Sequence, residues 1–578
     1  MKEMKNKCIL ILVHLGEVMR GVRTRCIILT LFSALLLPLA VPNDLFPYGS
    51  PLLGFICLAP FFISLTLAPS FRFSALLGVI FGFITTVFAY YWLQYFGEYS
   101  FWTLGGTTFG YMLYKSLLAS YLHGLSRVFP KYRPLVLAMA WTFYEFLKSS
   151  GFLGFPWTLM AHPVHSFLPL IQCVDITGIW GLSFLMALIN AVIAEGLLFL
   201  PSIIIKPFTI KTLFSFRWTG QLLFTLILFA AALAYGTIRL IIPLPVIHEV
   251  KVLLVQQNRD PWERKAGSYE KSILTAQELT LQALGESNDK KPDIIIWNET
   301  SFQTPFYPDR VNSRLEHFPQ QKPFLPFLRE INRPFLVGAP VVIEKKIYSA
   351  MNATVLISAD GEMINYYGKQ HPVPFGESIP FWDCDHVRTF FRNVINISGI
   401  WEMGKESTVF TLPLEDGKQI TFSTPICFED AFPDLCRTFI RKGADLLINL
   451  TNVSWSKTES AERQMYVASK FRSIENKCFL LRSTNSGVTS VIDPKGHVVA
   501  VLPLFTPDYL LVTIPVQKET LPTPYTVCGD YFPLLLWLTI VCILITRVLI
   551  PYKPGVRNGY QQETDMNREP AGFIFKEN

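Results

Sequence analysis

Charge is scarce in this sequence. Only 16% of its 578 residues are Asp, Glu, Lys or Arg, against 51% hydrophobic residues, and the mean hydropathy is +0.34. That balance argues against a purely soluble protein and points to a polytopic membrane protein. Metal-binding signatures are missing too. The ten cysteines, at 8, 26, 57, 173, 384, 427, 436, 478, 528 and 542, include no C-x-x-C pair, and the nine histidines form neither H-x-x-x-H nor H-E-x-x-H. This spacing suits neither a zinc site nor a dense disulfide framework, so neither metal nor cofactor is expected. The formal net charge of +7 comes without a basic, aromatic-studded patch. Basic membrane flanks account for it, and nucleic acid is not an expected partner.

Long apolar runs are what the sequence has instead. Seven lie near residues 26–42, 51–68, 73–96, 101–126, 134–150, 178–200 and 219–243, and an eighth at 529–550. A crossing needs roughly 17–25 apolar residues, so all eight qualify, 26–42 and 134–150 only just. The fifth carries Glu145 and Lys148, polar groups that should face the bundle interior or the interface. Basic residues cluster at alternate connections: Lys2, Lys5, Lys7, Arg20, Arg23 and Arg25, then Arg72, then Arg127, Lys131 and Arg133, then Lys206, Lys211 and Arg217, and finally Lys553 and Arg557. The intervening short loops hold Asp44 and Glu98. By the positive-inside rule both termini are cytoplasmic and the polar block lies outside. A cleaved signal peptide is not expected, because the basic leader is long and further spans follow at once. Met19 offers a second start that leaves this topology unchanged. The expected domains are a seven-helix membrane domain at 1–248, an extracytoplasmic catalytic domain at 249–517, a linker with the eighth helix at 518–550, and a polar, disordered tail at 551–578.

Between 249 and 517 the pattern changes. Apolar runs with strand character at 251–257, 293–299, 334–343, 353–358, 420–429, 445–452, 478–485 and 509–516 alternate with helical candidates at 262–284, 324–332, 431–442 and 461–476. Continuous apolar strands separated by helices indicate an α/β domain with buried sheets.

Three residues in this block suit covalent catalysis. Glu299 ends the strand IIIWNE, at the edge where ligands bind in open α/β sheets; its bland alternative is an ordinary polar strand terminus. Lys369 opens the proline-rich loop KQHPVPFGESIP, which can hold side chains over a cavity; the bland alternative is a solvated lysine. Glu377 in the same loop could orient Lys369 or remain a surface carboxylate. Cys427 ends ITFSTPIC and precedes FEDAFPDL, which reads as a helix start with Asp430 as N-cap and Pro433 in the first turn. The N–H groups and dipole there should lower the thiol pKa. The alternative, a buried structural cysteine, is assigned to Cys384, Cys436 and Cys478. A thiol, a carboxylate and an ammonium together form an acyl-transfer set.

This constellation resembles the nitrilase superfamily, with its Glu-Lys-Cys triad in an αββα sandwich. More closely, residues 20–550 resemble the apolipoprotein N-acyltransferase family, the membrane-bound branch of that superfamily. The resemblance rests on IIIWNET, YYGKQHPVPFGESIP, PICFE, LLRSTNSGVTSVIDPKG, the GFPW at 154–157 and GIWGLSFL at 178–185. It implies Glu299 as general base, Lys369 as oxyanion and thiolate partner and Cys427 as nucleophile, supported by Glu377, Glu429 and Phe428. It also suggests Trp262, Asn452, Trp455, Phe155, Pro156 and Trp157 as substrate-binding residues. The family often has Tyr where this chain has Phe428, Asn-Asp-Ala-Trp at Asn452, Val453, Ser454 and Trp455, and Gly-Tyr at Ala161 and His162.

The implied reaction is ping-pong acyl transfer. A phospholipid acyl chain passes to Cys427 as a thioester and then to the α-amino group of a diacylglyceryl-cysteine on an apolipoprotein. The implied setting is the bacterial inner membrane, with the catalytic domain periplasmic and the protein a monomer. Two other readings exist. A membrane-tethered amidohydrolase would share the triad and use water. A non-enzymatic transporter or scaffold would have no need of an intact triad. Among the N-x-[ST] matches, Asn298 and Asn352 are discounted as glycan sites because a glycan at Asn298 would block Glu299.

Overall fold

The computed structural model describes residues 21–205 and 217–549, apart from 264, 266, 287–290, 308–309, 345–348, 396–398, 415–416 and 518–520. Met19, Lys206, Lys211 and the tail at 551–578 lie outside the described residues.

Each apolar run is helical. In order they are α1 (Val22–Ala40), a short turn Pro51–Gly54 followed by α2 (Ala59–Leu67), α3 (Phe71–Ala89), α4 (Thr107–Val128), α5 (Arg133–Lys148), α6 (Ile179–Ile205) and α7 (Arg217–Ile241). Among the described residues, α1, α3, α6 and α7 are long and apolar enough to cross a membrane. Gly78 and Gly82, one turn apart on α3, let α4 approach closely. A Cβ at these positions would lie 2.3 Å from the Lys115 carbonyl and 2.7 Å from that of Tyr111, so small residues set the spacing. Glu145 and Lys148 are buried. Glu145 Oε1 accepts from Trp141 Nε1 and from the Met160 N–H, each at 2.9 Å, which offsets for that oxygen the cost of burying a polar group in an apolar bundle.

The polar block is a sandwich of two six-stranded sheets. Its strands are β1 (Val246–Gln256), β2 (Ile294–Trp297), β3 (Phe335–Glu344), β4 (Ser349–Ile357), β5 (Met363–Gly368), β6 (Phe410–Pro413), β7 (Gln419–Ser423), β8 (Leu446–Thr451), β9 (Phe479–Thr484), β10 (Ser490–Ile492), β11 (Val498–Val501) and β12 (Asp508–Gln517). The sheet orders are β12-β1-β2-β3-β4-β5 and β11-β10-β9-β8-β7-β6. The strands β1, β2 and β3 run parallel, as do β7, β8 and β9. Side chains alternate along each strand. Val252, Leu254, Ile296 and Leu336 share a core with Phe422, Ile448, Leu450 and Leu480 of the other sheet. Their neighbours Leu253, Val255, Ile295 and Val337 join a second core with α8 (Ser268–Glu286) and α9 (Phe324–Ile331).

Beyond the second sheet lie α10 (Pro433–Arg441) and α11 (Glu459–Asn476), and the chain ends its described part in α12 (Tyr531–Leu549). Helix α11 is buried on nearly every face because the membrane helices cover the side turned away from the sheet. Gln464 Nε2 donates to the Pro42 and Ala89 carbonyls at 2.9 and 3.1 Å, Trp92 Nε1 donates to Gln464 Oε1 at 3.2 Å, and the Ile179 N–H donates to Glu475 Oε1 at 2.9 Å.

Some expectations shift. The strand expected to run through 429 stops at Ser423, and Cys427–Ala431 form a 3-10 turn. Asp430 is therefore not the N-cap of α10. Phe432 holds that position without a capping side chain, Pro433 opens the helix, and Asp430 pairs instead with the buried Arg482. The helix expected from 262 starts at Ser268. Cys436 and Cys478 are buried, whereas Cys384 is exposed, as its place just before a short surface helix requires.

Candidate active site

The two sheets bring three strand ends together. Glu299 follows β2, Lys369 directly follows β5, and Cys427 opens the turn after β7. Glu299 and Cys427 thus lie beyond the C-terminal ends of strands in parallel sets, where the chain leaves the sheet and side chains are free to converge. Cys427 has φ +55, a left-handed conformation that costs about 1–3 kcal/mol for a residue with a Cβ and persists only where neighbours impose it. Asn449 imposes it from below, donating through Nδ2 to the Cys427 carbonyl at 2.8 Å and the Pro425 carbonyl at 2.9 Å.

Glu429 fastens this turn to the lysine loop. Its carboxylate accepts from the N–H groups of Ile426 at 2.7 Å, Gln370 at 2.7 Å and His371 at 2.8 Å, and from the Tyr367 hydroxyl at 3.1 Å. Burial pushes it up to about 7, with those donors opposing. The lysine is equally enclosed. Lys369 Nζ lies 2.8 Å from Glu377 Oε1, 3.6 Å from Glu299 Oε1 and 5.5 Å from the Phe428 ring centroid. Burial alone would lower the ammonium pKa, but Glu377, the Cys427 sulfur and Glu299 together hold it above its ordinary value.

Glu299 is positioned by two donors. Asn352 Nδ2 reaches Glu299 Oε1 at 2.9 Å and Glu377 Oε1 at 3.3 Å, and the Asn452 N–H reaches Glu299 Oε2 at 2.9 Å. Burial raises the Glu299 carboxyl above the usual carboxylate range, Lys369 pulls it back, and the Cys427 thiol donates toward it. Burial likewise drives the Cys427 thiol up, Glu299 adds to the rise and Lys369 opposes it. This corrects the expectation of a lowered thiol pKa: enclosure outweighs the turn's N–H groups. Cys427 is thus a thiol beside a carboxylate whose proton affinity is raised, the pairing that base-assisted thiol chemistry requires.

A cleft of about 220 Å³ opens above these groups, lined by Glu299, Cys427, Asn352, Glu377, Asn452 and Trp455 and, from the membrane domain, Phe96. A larger cavity of about 420 Å³ beside Arg441, Asn476 and Thr523 holds none of the three reactive side chains. Of the substrate-binding candidates, Asn452 and Trp455 line the cleft. Trp262 backs it, donating through Nε1 to the Trp455 carbonyl at 3.2 Å. Phe155 and Trp157 lie behind Phe428. Their rings stack at 4.7 Å, and Trp157 is 6.3 Å from the Phe428 ring. Pro156 is buried in the same segment. His162 is buried too, with its ring 6.0 Å from that of Phe471 on α11. Sequence reasoning missed Asn352 as a partner of Glu299. Its only signal was an N-x-T match.

Residues 33–192 match the family model for the apolipoprotein N-acyltransferase N-terminal domain, and residues 251–520 match that for carbon-nitrogen hydrolase. The chain is similar to apolipoprotein N-acyltransferase 2 of Treponema denticola, at 36% identity over 88% of this chain and 95% of the relative. It is also similar to apolipoprotein N-acyltransferase 2 of Treponema pallidum, at 34% identity over 89% and 92%. Apolipoprotein N-acyltransferase of Borreliella burgdorferi is 33% identical over 91% of this chain and 96% of its own length. A thiol, a base and an ammonium at the seam of a nitrilase-like sandwich and a membrane bundle, with relatives matched almost end to end, lead to one assignment: the chain belongs to the apolipoprotein N-acyltransferase family.

Proposed function

We propose that this protein transfers an acyl chain from a phospholipid to the α-amino group of the diacylglyceryl-cysteine that begins an apolipoprotein. The observation that carries this reading is the cleft itself, where Cys427 and Glu299 share one wall system with Phe96 of the membrane domain. A reactive thiol placed against an apolar bundle suits a substrate held in the bilayer, and the names of the relatives supply the acceptor class.

Glu299 takes the thiol proton as the Cys427 sulfur attacks the ester carbonyl. The Lys369 ammonium faces the developing oxyanion, worth about 2.7–4 kcal/mol for a well-placed donor. The alkoxide of the lysophospholipid leaves with the proton from Glu299, and the acyl chain stays on Cys427 as a thioester. The acceptor amine then attacks the thioester, Glu299 removes its proton, and the thiol is regenerated. Two half-reactions through one nucleophile give ping-pong kinetics.

The topology belongs to the same proposal. Eight crossings place both termini in the cytoplasm and residues 249–517 on the periplasmic side of a bacterial inner membrane, as a monomer. The alternating basic loops support this orientation. The test is intact-mass spectrometry of the protein after incubation with phospholipid, beside Cys427→Ala. One hydroxylamine-labile acyl increment, absent from the variant, is expected; a folded, lipid-bound protein without it would sink the thioester route.

A further inference from the structure

Two neighbours in one sheet grip the turn that carries Cys427. In the register of β8 with β9, Asn449 lies beside Arg482, and both are fully buried. Alternation along β9 sends Ser483 toward the other sheet, where its hydroxyl donates to the Ile296 carbonyl at 3.4 Å, so Arg482 and Asn449 point to the opposite face. From that face Asn449 Nδ2 holds the start of the turn by the Cys427 carbonyl at 2.8 Å. Arg482 Nη1 holds the fourth residue of the turn, ion-paired with Asp430 Oδ2. Arg472 Nη1 of α11 donates to the Ala431 carbonyl at 3.3 Å and closes the far end.

The turn needs holding at more than one point. Cys427 is left-handed at φ +55, a strained conformation that persists only where its surroundings over-determine it. The turn Cys427–Ala431 is five residues long, so a shift at Asp430 is soon felt at Cys427. The ion pair itself is an incomplete one. Asp430 Oδ1 and Arg482 Nε, both buried, have no hydrogen-bond partner among the described residues. A buried pair satisfied only in part adds little stability, and apolar side chains of similar volume often serve as well or better. Its effect lies in geometry: a charge fixed on β9 sets where the fourth residue of the turn must sit.

We propose that Arg482 is a positioning residue for Cys427, gripping its turn through Asp430 so that the left-handed Cys427 keeps its sulfur toward Glu299. The inference rests on Cys427 being the nucleophile. Released at Asp430, the turn relaxes, Cys427 returns to negative φ and its thiol swings away from the base. Neither Asp430 nor Arg482 lines the cleft, so binding of the lipid is left alone.

The test separates stability from geometry with two variants of the full-length protein. It reads the thermal midpoint, kcat and KM, and the rate at which iodoacetamide alkylates Cys427, by mass spectrometry of its peptide. The buried Cys436 and Cys478 report general loosening in the same digest. Asp430→Leu combined with Arg482→Met removes both charges. Its midpoint should stay near that of the parent, with Cys436 and Cys478 unlabelled, while kcat and Cys427 alkylation fall about tenfold and KM is unchanged. Asp430→Asn keeps an acceptor for Arg482 but strips the guanidinium of its counter-charge. It should lower the midpoint yet keep kcat within about threefold of the parent. A role in stability alone predicts that kcat follows the midpoint in both variants, and that result overturns the proposal, as does a double variant that matches the parent. Should the double variant not fold, Arg482→Lys, which keeps the charge but withdraws the donor from Asp430, takes its place with the same expected fall in kcat. Cys427→Ala distinguishes the two claims. If it is inactive while the double variant matches the parent, only the positioning role is lost; if it is active, the nucleophile and the positioning role fall together.

Discussion

Lys369 is held more closely by Glu377, at 2.8 Å, than by Glu299, at 3.6 Å. The carboxylate that anchors the ammonium is therefore not the one proposed to take the thiol proton. Glu377→Gln would leave Glu299 as the carboxylate ion-paired with the lysine among the described residues, drawing the ammonium onto the proposed base. The expected result is a fall of about 100-fold in kcat, or ~2.7 kcal/mol in the barrier, with KM for the phospholipid little changed, read from steady-state kinetics on folded variant protein.

Acid should switch the enzyme off above the usual carboxylate range. In the proposed mechanism Glu299 acts when ionised, and burial raises its pKa, so activity should be lost as pH falls through that raised value rather than near the model-peptide value of about 4.3. Asn352→Ala removes a donor to the ionised form and should move the acidic limb further upward. A pH profile of kcat/KM for parent and variant checks both.

Glu429 satisfies the N–H groups of Ile426, Gln370 and His371 with one carboxylate. Glu429→Gln offers one acceptor oxygen and turns N–H groups toward N–H groups. Each orphaned donor costs about 1–3 kcal/mol, so a lowered thermal midpoint and a slower Cys427 should appear together.

Phe428 faces the Lys369 ammonium at 5.5 Å from its ring centroid. Phe428→Ala removes a cation–π contact worth about 2 kcal/mol when desolvated and should lower kcat roughly tenfold, whereas Phe428→Tyr keeps the ring face and should stay within about threefold.

Trp455 touches Phe96 at 4.0 Å between ring centroids and Trp92 at 5.7 Å. Trp455→Ala opens that wall of the cleft. An increase of about tenfold or more in KM for the phospholipid, larger than the change in kcat, is the expected signature of lost binding surface.

Much of this was legible in the sequence, and the limits are physical. Glu299, Lys369 and Cys427 each end a strand or open a loop within a short local pattern, so one-dimensional reading finds them. Asn352 does not announce itself. It reaches Glu299 because β4 pairs with both β3 and β5, a register that no local pattern encodes. Strands β5, β6, β10 and β11 are absent from the strand runs read in the sequence: β5 and β6 are edge strands, β11 is an edge strand with mostly exposed residues, and β10 is only three residues long. The raised thiol of Cys427 followed from burial by distant elements, whereas the turn beside it suggested the reverse. Helix α11 carries Glu462, Lys470, Arg472 and Glu475, which suggests solvent contact; Glu462 is instead buried against Ser486 and Gly487, Arg472 against Ala431 and Glu475 against the start of α6, contacts visible only in three dimensions.

Trp455 belongs to the sandwich and Phe96 to the membrane domain, and the two meet at the cleft. Chemistry and address are therefore built from different parts. The sandwich by itself holds Glu299, Lys369 and Cys427 but leaves the cleft open on the side where Phe96 stands. A thiol freed from that wall would answer to any small acyl donor that diffused in. Under the proposed function the membrane helices, beyond anchoring the sandwich, act as a censor, admitting to Cys427 only what arrives along the bilayer.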